Sequence, residues 1–196
     1  ANFLRLTGEA ERAAALLAET VRAHPDQPEA VLDYVGASLA AGRPRDALVA
    51  LAPFESREGD PALDLRLLLS ASRAAEVMGE GERALAIAER AERLAVARDA
   101  ATLVAEALLR QAAALAEMGG ARFADQLERL DRGLTWARRV GDPILEMRLQ
   151  WTRGVVQQAA GGSDPRHWDE AERSWTAALA TARARGARSA ERSLLN

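Results

Sequence analysis

The stretch GEGERA, Gly79 to Ala84, carries the spacing Gly-x-Gly-x-x-Ala. Glycines so placed let a backbone approach a pyrophosphate, and the N-terminus of a following helix offers it N–H donors. That chemistry needs a strand before the first glycine. Here RLLLSASRAAEVM precedes it with helical period, and no strand pattern occurs elsewhere. The hexapeptide also has a near twin, GEAERA, at Gly8 to Ala13. Both copies therefore read as the same joint of a repeating scaffold.

A second constellation lies in DPRHWDE, where His167 sits among Asp164, Asp169 and Glu170, with Ser163 and Ser174 nearby. A hydrolytic triad needs a nucleophile, a base and an orienting acid within hydrogen-bond reach. No motif supports one here, and the segment reads as a helix start with Asp164 as cap and acids in the first turn. The other histidine, His24, precedes Pro25 at a helix end, where a basic group suits the dipole. Cysteine and lysine are both absent, so every basic residue is arginine. This excludes disulfides, thiolate metal sites, Schiff-base chemistry and the P-loop lysine. No catalytic residue, cofactor or metal is expected, and the chain is not read as an enzyme.

What remains is architecture. The composition is 48% apolar but only 4% aromatic, and alanine is the most frequent residue. Alanine favours helix, while the residues that favour strands are sparse. Formal net charge is −3, which gives no reason to expect a nucleic acid partner. No apolar run reaches the roughly 20 residues that span a bilayer, so no membrane is expected and a cytoplasmic location is. The start at Ala1 suggests a piece of something longer.

Apolar and small residues recur at helical spacing in segment after segment, each ending at Gly or Pro. Ala10, Ala13, Ala14, Leu17 and Val21 form the first set, and Val31, Tyr34, Val35 and Leu39 the next. Leu48, Leu51 and Phe54 follow, with Pro53 expected to end or kink that helix early. Later sets include Ala84, Ile87, Ala88, Ala91 and Leu94, then Leu127, Leu130, Leu134 and Ala137. The unit is helix, turn, helix, turn in about 34 to 44 residues, the signature of a helical solenoid.

On these residues the sequence resembles the tetratricopeptide repeat (TPR) family. Gly8, Ala13, Leu17, Thr20 and Pro25 stand at that family's spacing, as do Gly42, Ala47 and Leu51, and Gly79, Ala84, Ala88 and Ala91. Phe54 stands where the family has a small residue. Tyr34, Ala112 and Gly154 fall near its apolar-then-small pair, while Val31, Leu68 and Leu108 replace the usual large aromatic. RRVGDP (138–143) resembles the longer-unit variety found in bacterial regulators and signalling proteins.

The resemblance implies an all-α, right-handed α-solenoid of about five stacked antiparallel helix pairs over residues 1–196, a single domain with both ends inside first helices. Exposed repeat ends would invite a neighbouring repeat or a second copy, giving a homodimer. It implies a protein–protein interaction module, part of a larger bacterial regulator or signalling protein, with a protein or peptide in the concave groove. The alternative is an effector- or small-molecule-sensing domain relaying to an absent DNA-binding or enzymatic domain. The family alignment sets Leu32, Gly36, Arg66, Leu69, Arg73, Leu109, Arg110, Ala113, Arg148, Trp151 and Val155 on groove-lining first helices, with Glu76, Glu106 and Glu117 nearby. Arginine interleaved with apolar spots suits a peptide carrying acids and apolar residues. Some relatives clamp carboxylates with Lys and Asn; Lys is absent here and Asn occurs only at 2 and 196. Trp175 is expected in the core and Trp136 against the next pair. Trp151 is expected in the groove, with Trp151→Ala weakening partner binding more than folding.

Overall fold

The computed structural model describes residues 2–54, 61–119, 122–162 and 166–184. Among them are nine α-helices: α1 (Asn2–Ala23), α2 (Pro28–Ala40), α3 (Pro44–Leu51), α4 (Pro61–Val77), α5 (Gly81–Ala97), α6 (Ala101–Glu117), α7 (Phe123–Val140), α8 (Pro143–Ala160) and α9 (Arg166–Ala184). No strand occurs among the described residues, as the alanine-rich composition predicts.

Each helix packs on the next in sequence, and a second set of contacts joins α2 to α4, α4 to α6 and α6 to α8. The odd-numbered helices barely touch one another. Even-numbered helices thus form the tighter, inner layer, and the array curves towards them.

Three hydrophobic clusters bind the stack, each tying one pair to the next inner helix. Val31 and Val35 of α2, Ala47 and Leu51 of α3 and Leu67 and Ala71 of α4 make the first. Leu65 and Leu68 of α4, Ala91 and Ala95 of α5 and Val104 and Leu108 of α6 make the second. Leu109 of α6, Leu130 and Leu134 of α7 and Leu145 and Leu149 of α8 make the third. The expected small residues occupy the helix crossings: Ala84, Ala88, Ala91 and Ala95 are wholly buried along one stripe of α5. Alanine permits this because it lets helix axes approach.

Pro53 does end its helix early. α3 gives way at Ala52 to a 3-10 turn through Phe54, which swings that ring into the first cluster. A large residue therefore fits where the repeat pattern has a small one.

The twin hexapeptides have different fates. Gly79 turns the chain between α4 and α5 at φ +73°, a left-handed conformation that suits glycine. Gly81 begins α5 at a close approach; a Cβ there would lie 2.7 Å from Met118 Cγ and 3.0 Å from the Ala114 carbonyl oxygen. The Gly-x-Gly spacing combines one turn with one steric fit. Gly8, expected to close a helix, instead lies within α1, which runs unbroken from Asn2 to Ala23. Neighbours with good helix propensity carry the helix across a glycine at a cost of about 1 kcal/mol.

Candidate functional site

On the inner face, α2, α4, α6 and α8 enclose a cavity of about 290 Å³. Leu32, Leu69 and Leu103 supply its apolar lining, and Arg66, Arg73, Arg110 and Arg148 its charge, against Asp33 and Glu106. Six of the residues expected to face a ligand line it together: Leu32, Arg66, Leu69, Arg73, Arg110 and Arg148.

The four arginines divide into two kinds. Arg110 donates to Glu76 at 3.0 Å, linking α6 to α4, with side-chain exposures of 12% and 22%. Arg148 donates to Glu106 at 3.2 Å, linking α8 to α6. Burial pushes the Arg110 guanidinium below its ordinary pKa, Glu76 opposes this, and Arg148 and Arg73 add to the lowering. Arginine remains charged at any physiological pH, so these pairs are fixed struts between inner helices. Arg66 and Arg73 are exposed, and neither guanidinium has an ion-pair partner among the described residues. They sit two turns apart on α4, about 10 Å along its axis.

The other expected residues lie elsewhere. Leu109 is 3% exposed and belongs to the third core cluster. Trp151 is half-buried against Met147, Ala178 and Ala182, and its ring meets that of Trp175 at 5.9 Å between centroids. Trp151→Ala therefore removes packing between α8 and α9 as well as any groove contact. Val155 is exposed on α8. Leu103, Ser70 and Asp33 line the cavity unanticipated. Leu103 lies 34 positions after Leu69, so the repeat length itself was a signal for it.

Gly36, exposed on α2, has nothing within 4 Å of where a Cβ would stand. Gly36→Ala is expected to raise stability by about 0.5–1 kcal/mol, because glycine is a poor helix former. Thermal denaturation reads the gain.

The His167 constellation is structural in its contacts. His167 Nδ1 faces Glu170 at 3.3 Å, and Glu170 also accepts from Gln157 at 3.1 Å. The Ser174 hydroxyl donates to the Gln157 amide oxygen at 2.8 Å and accepts from Arg153 at 3.0 Å. An amide oxygen is no general base, so Ser174 is not set up as a nucleophile. Ser163 and the expected cap Asp164 lie outside the described residues. The hydrogen bond from His167 holds the Glu170 carboxyl below its usual range, against the partial loss of solvent, which acts the other way, and with Gln157 adding to the lowering. Because the folded value is depressed, this contribution is complete above the ordinary carboxylate range of about 4. It is lost as pH falls through the folded value. The protection factors of the α9 amides, taken against the intrinsic exchange rate at each pH, are expected to fall on acidification, and to fall less in Glu170→Gln.

Residues 4–63 match the family model described as tetratricopeptide repeat. This segment is tetratricopeptide repeat. Such repeats mediate protein–protein interaction. No curated protein matches the chain. Its fold is similar to the crystal structure of BtubC (BKLC) from P. vanneervenii, with a TM-score of 0.55 at 14% identity over 99% of this chain and 88% of that one. That likeness extends the repeat architecture beyond the matched segment and concerns the fold alone. No described helix is long and apolar enough to cross a membrane.

Proposed function

We propose that the inner groove holds a peptide segment of another protein, and that the chain works as an interaction module within a larger bacterial regulatory or signalling protein. The observation that carries this reading is the pair Arg66 and Arg73. Two exposed guanidinium groups without carboxylate partners among the described residues stand beside Leu32, Leu69 and Leu103, on the face where the inner helices converge. Guanidinium forks bind carboxylates bidentately, and the leucines exclude water around an apolar anchor. The best-fitting segment carries two acids about 10 Å apart flanking an apolar residue.

The test is a titration of labelled peptides with that pattern against protein and against Arg66→Glu/Arg73→Glu. Both positions are exposed, so the variant is expected to fold. Charge reversal is expected to weaken binding at least a hundredfold, since each charged hydrogen bond contributes about 1.5–3 kcal/mol. Equal affinity for the reversed protein, or for a peptide with lysines in place of the acids, would sink the reading.

A further inference from the structure

We propose that a second cavity, between α7, α8 and α9, binds a small carboxylate-bearing molecule that also carries an N–H or O–H donor. The cavity has a volume of about 290 Å³ and shares no lining residue with the groove. Its polar lining comes from three helices: Asp131 and Arg138 of α7, Gln150 and Arg153 of α8, and Arg173 and Ser174 of α9.

The charge favours an anion. Three guanidinium groups meet two carboxylates, Asp131 in the lining and Glu146 paired with Arg138 beside it, which leaves the charge of Arg173 in excess. Arg153 donates its Nε to Asp131 at 2.7 Å and one terminal nitrogen to Ser174 at 3.0 Å. Arg138 donates its Nε to Glu146 at 2.8 Å. Arg173 donates only to the Asp169 backbone oxygen, at 3.2 Å, and has no carboxylate partner among the described residues. A guanidinium has five donors in a planar fork, so these bonds leave N–H groups free for a planar oxyanion.

A second observation concerns Gln150, which lines the same cavity and is 7% exposed. Its Nε2 donates to Glu146 at 3.1 Å, but its Oε1 is buried and without a donor. A buried acceptor left unmet is unfavourable. If the Gln150 amide turns towards the cavity, a ligand with an N–H or O–H beside its acid supplies the missing donor. The cavity is at the small end of ligand sites, which suits an acid of amino-acid size rather than a nucleotide.

Such a ligand would bridge three helices and bind α9 more firmly to the array. N-acetyl-aspartate provides both features, and succinate provides the carboxylates without the N–H. N-acetyl-aspartate is expected to raise the melting temperature saturably above a sodium chloride control of equal ionic strength. It should slow amide exchange in α7, α8 and α9, and bind more tightly than succinate. Arg173→Gln, at an exposed position, is expected to weaken it about tenfold. Gln150→Leu is expected to abolish the preference for N-acetyl-aspartate over succinate. The proposal is overturned if neither acid exceeds the chloride control, if Arg173→Gln binds as well as the parent, or if protection maps to α4 and α6. A preference that survives Gln150→Leu removes the donor requirement. The proposal does not depend on the groove, so failure of the peptide titration leaves it standing.

Discussion

Leu149→Ala is expected to destabilise the protein by about 4 kcal/mol, towards the upper end of the range for a buried leucine. Leu149 is wholly buried in the third cluster, between Leu130, Leu134 and Leu145. Its side chain presses on a bare helix surface: a Cβ added to Gly133 would lie 2.8 Å from Leu149 Cδ2. The partner across the interface is thus backbone, which cannot move in to fill the space that alanine leaves. A cavity that stays open costs more than one that collapses. Stability in a repeat array is a sum of unit and interface terms, so the loss falls on the α7–α8 interface first. Urea denaturation followed by far-UV circular dichroism measures it. A loss below about 1 kcal/mol would mean that the site relaxes, against the argument.

Gly154→Ala is expected to cost about 1–3 kcal/mol, the range for overpacking a filled interface. The added methyl would overlap the indole of Trp175, whose Nε1 and Cδ1 lie closest and whose Cε2 is 2.9 Å away. The ring would have to leave α8, giving up its contact with Trp151. Helix propensity acts the other way by up to about 1 kcal/mol, and the steric term outweighs it. The same substitution therefore has opposite signs at two mid-helix glycines: Gly36→Ala stabilises and Gly154→Ala destabilises. Melting temperatures compare them directly, and a shift in tryptophan emission is expected only in Gly154→Ala. Two stabilised variants would show that α9 yields easily, and the steric account would fail.

Much of the molecule was legible in the sequence, for identifiable reasons. Helical period locates the segments because one face of each must be buried. The Pro53 break follows from a residue that cannot donate a backbone hydrogen bond. The inner position of Leu32, Arg66, Leu69, Arg73, Arg110 and Arg148 follows from register, once the repeat is recognised. Register also misleads where packing intervenes. Leu109 and Arg110 are neighbours in sequence, yet one is core and the other lines the cavity. Gly8 and Gly79 stand in nearly identical hexapeptides, yet one lies in a helix and the other makes a turn. A glycine permits a reversal, and the surrounding contacts determine whether one occurs.

By itself, then, the sequence determined the helix-pair scaffold, through alanine content, the 3.6-residue period and turn residues repeated at near-constant spacing. Those are local properties, and adjacent residues are enough to express them. Tertiary structure alone decided which charges are used up and which surfaces stay open. Arg110 and Glu76 are 34 residues apart and become a pair only when α6 docks on α4. Arg66 and Arg73 carry the same charge, line the same cavity as Asp33 and Glu106, and have no ion-pair partner among the described residues. The cavity between α7, α8 and α9 likewise exists only where three helices fail to fill the space between them. Pairing energies depend on distance between side chains, and stacking sets that distance.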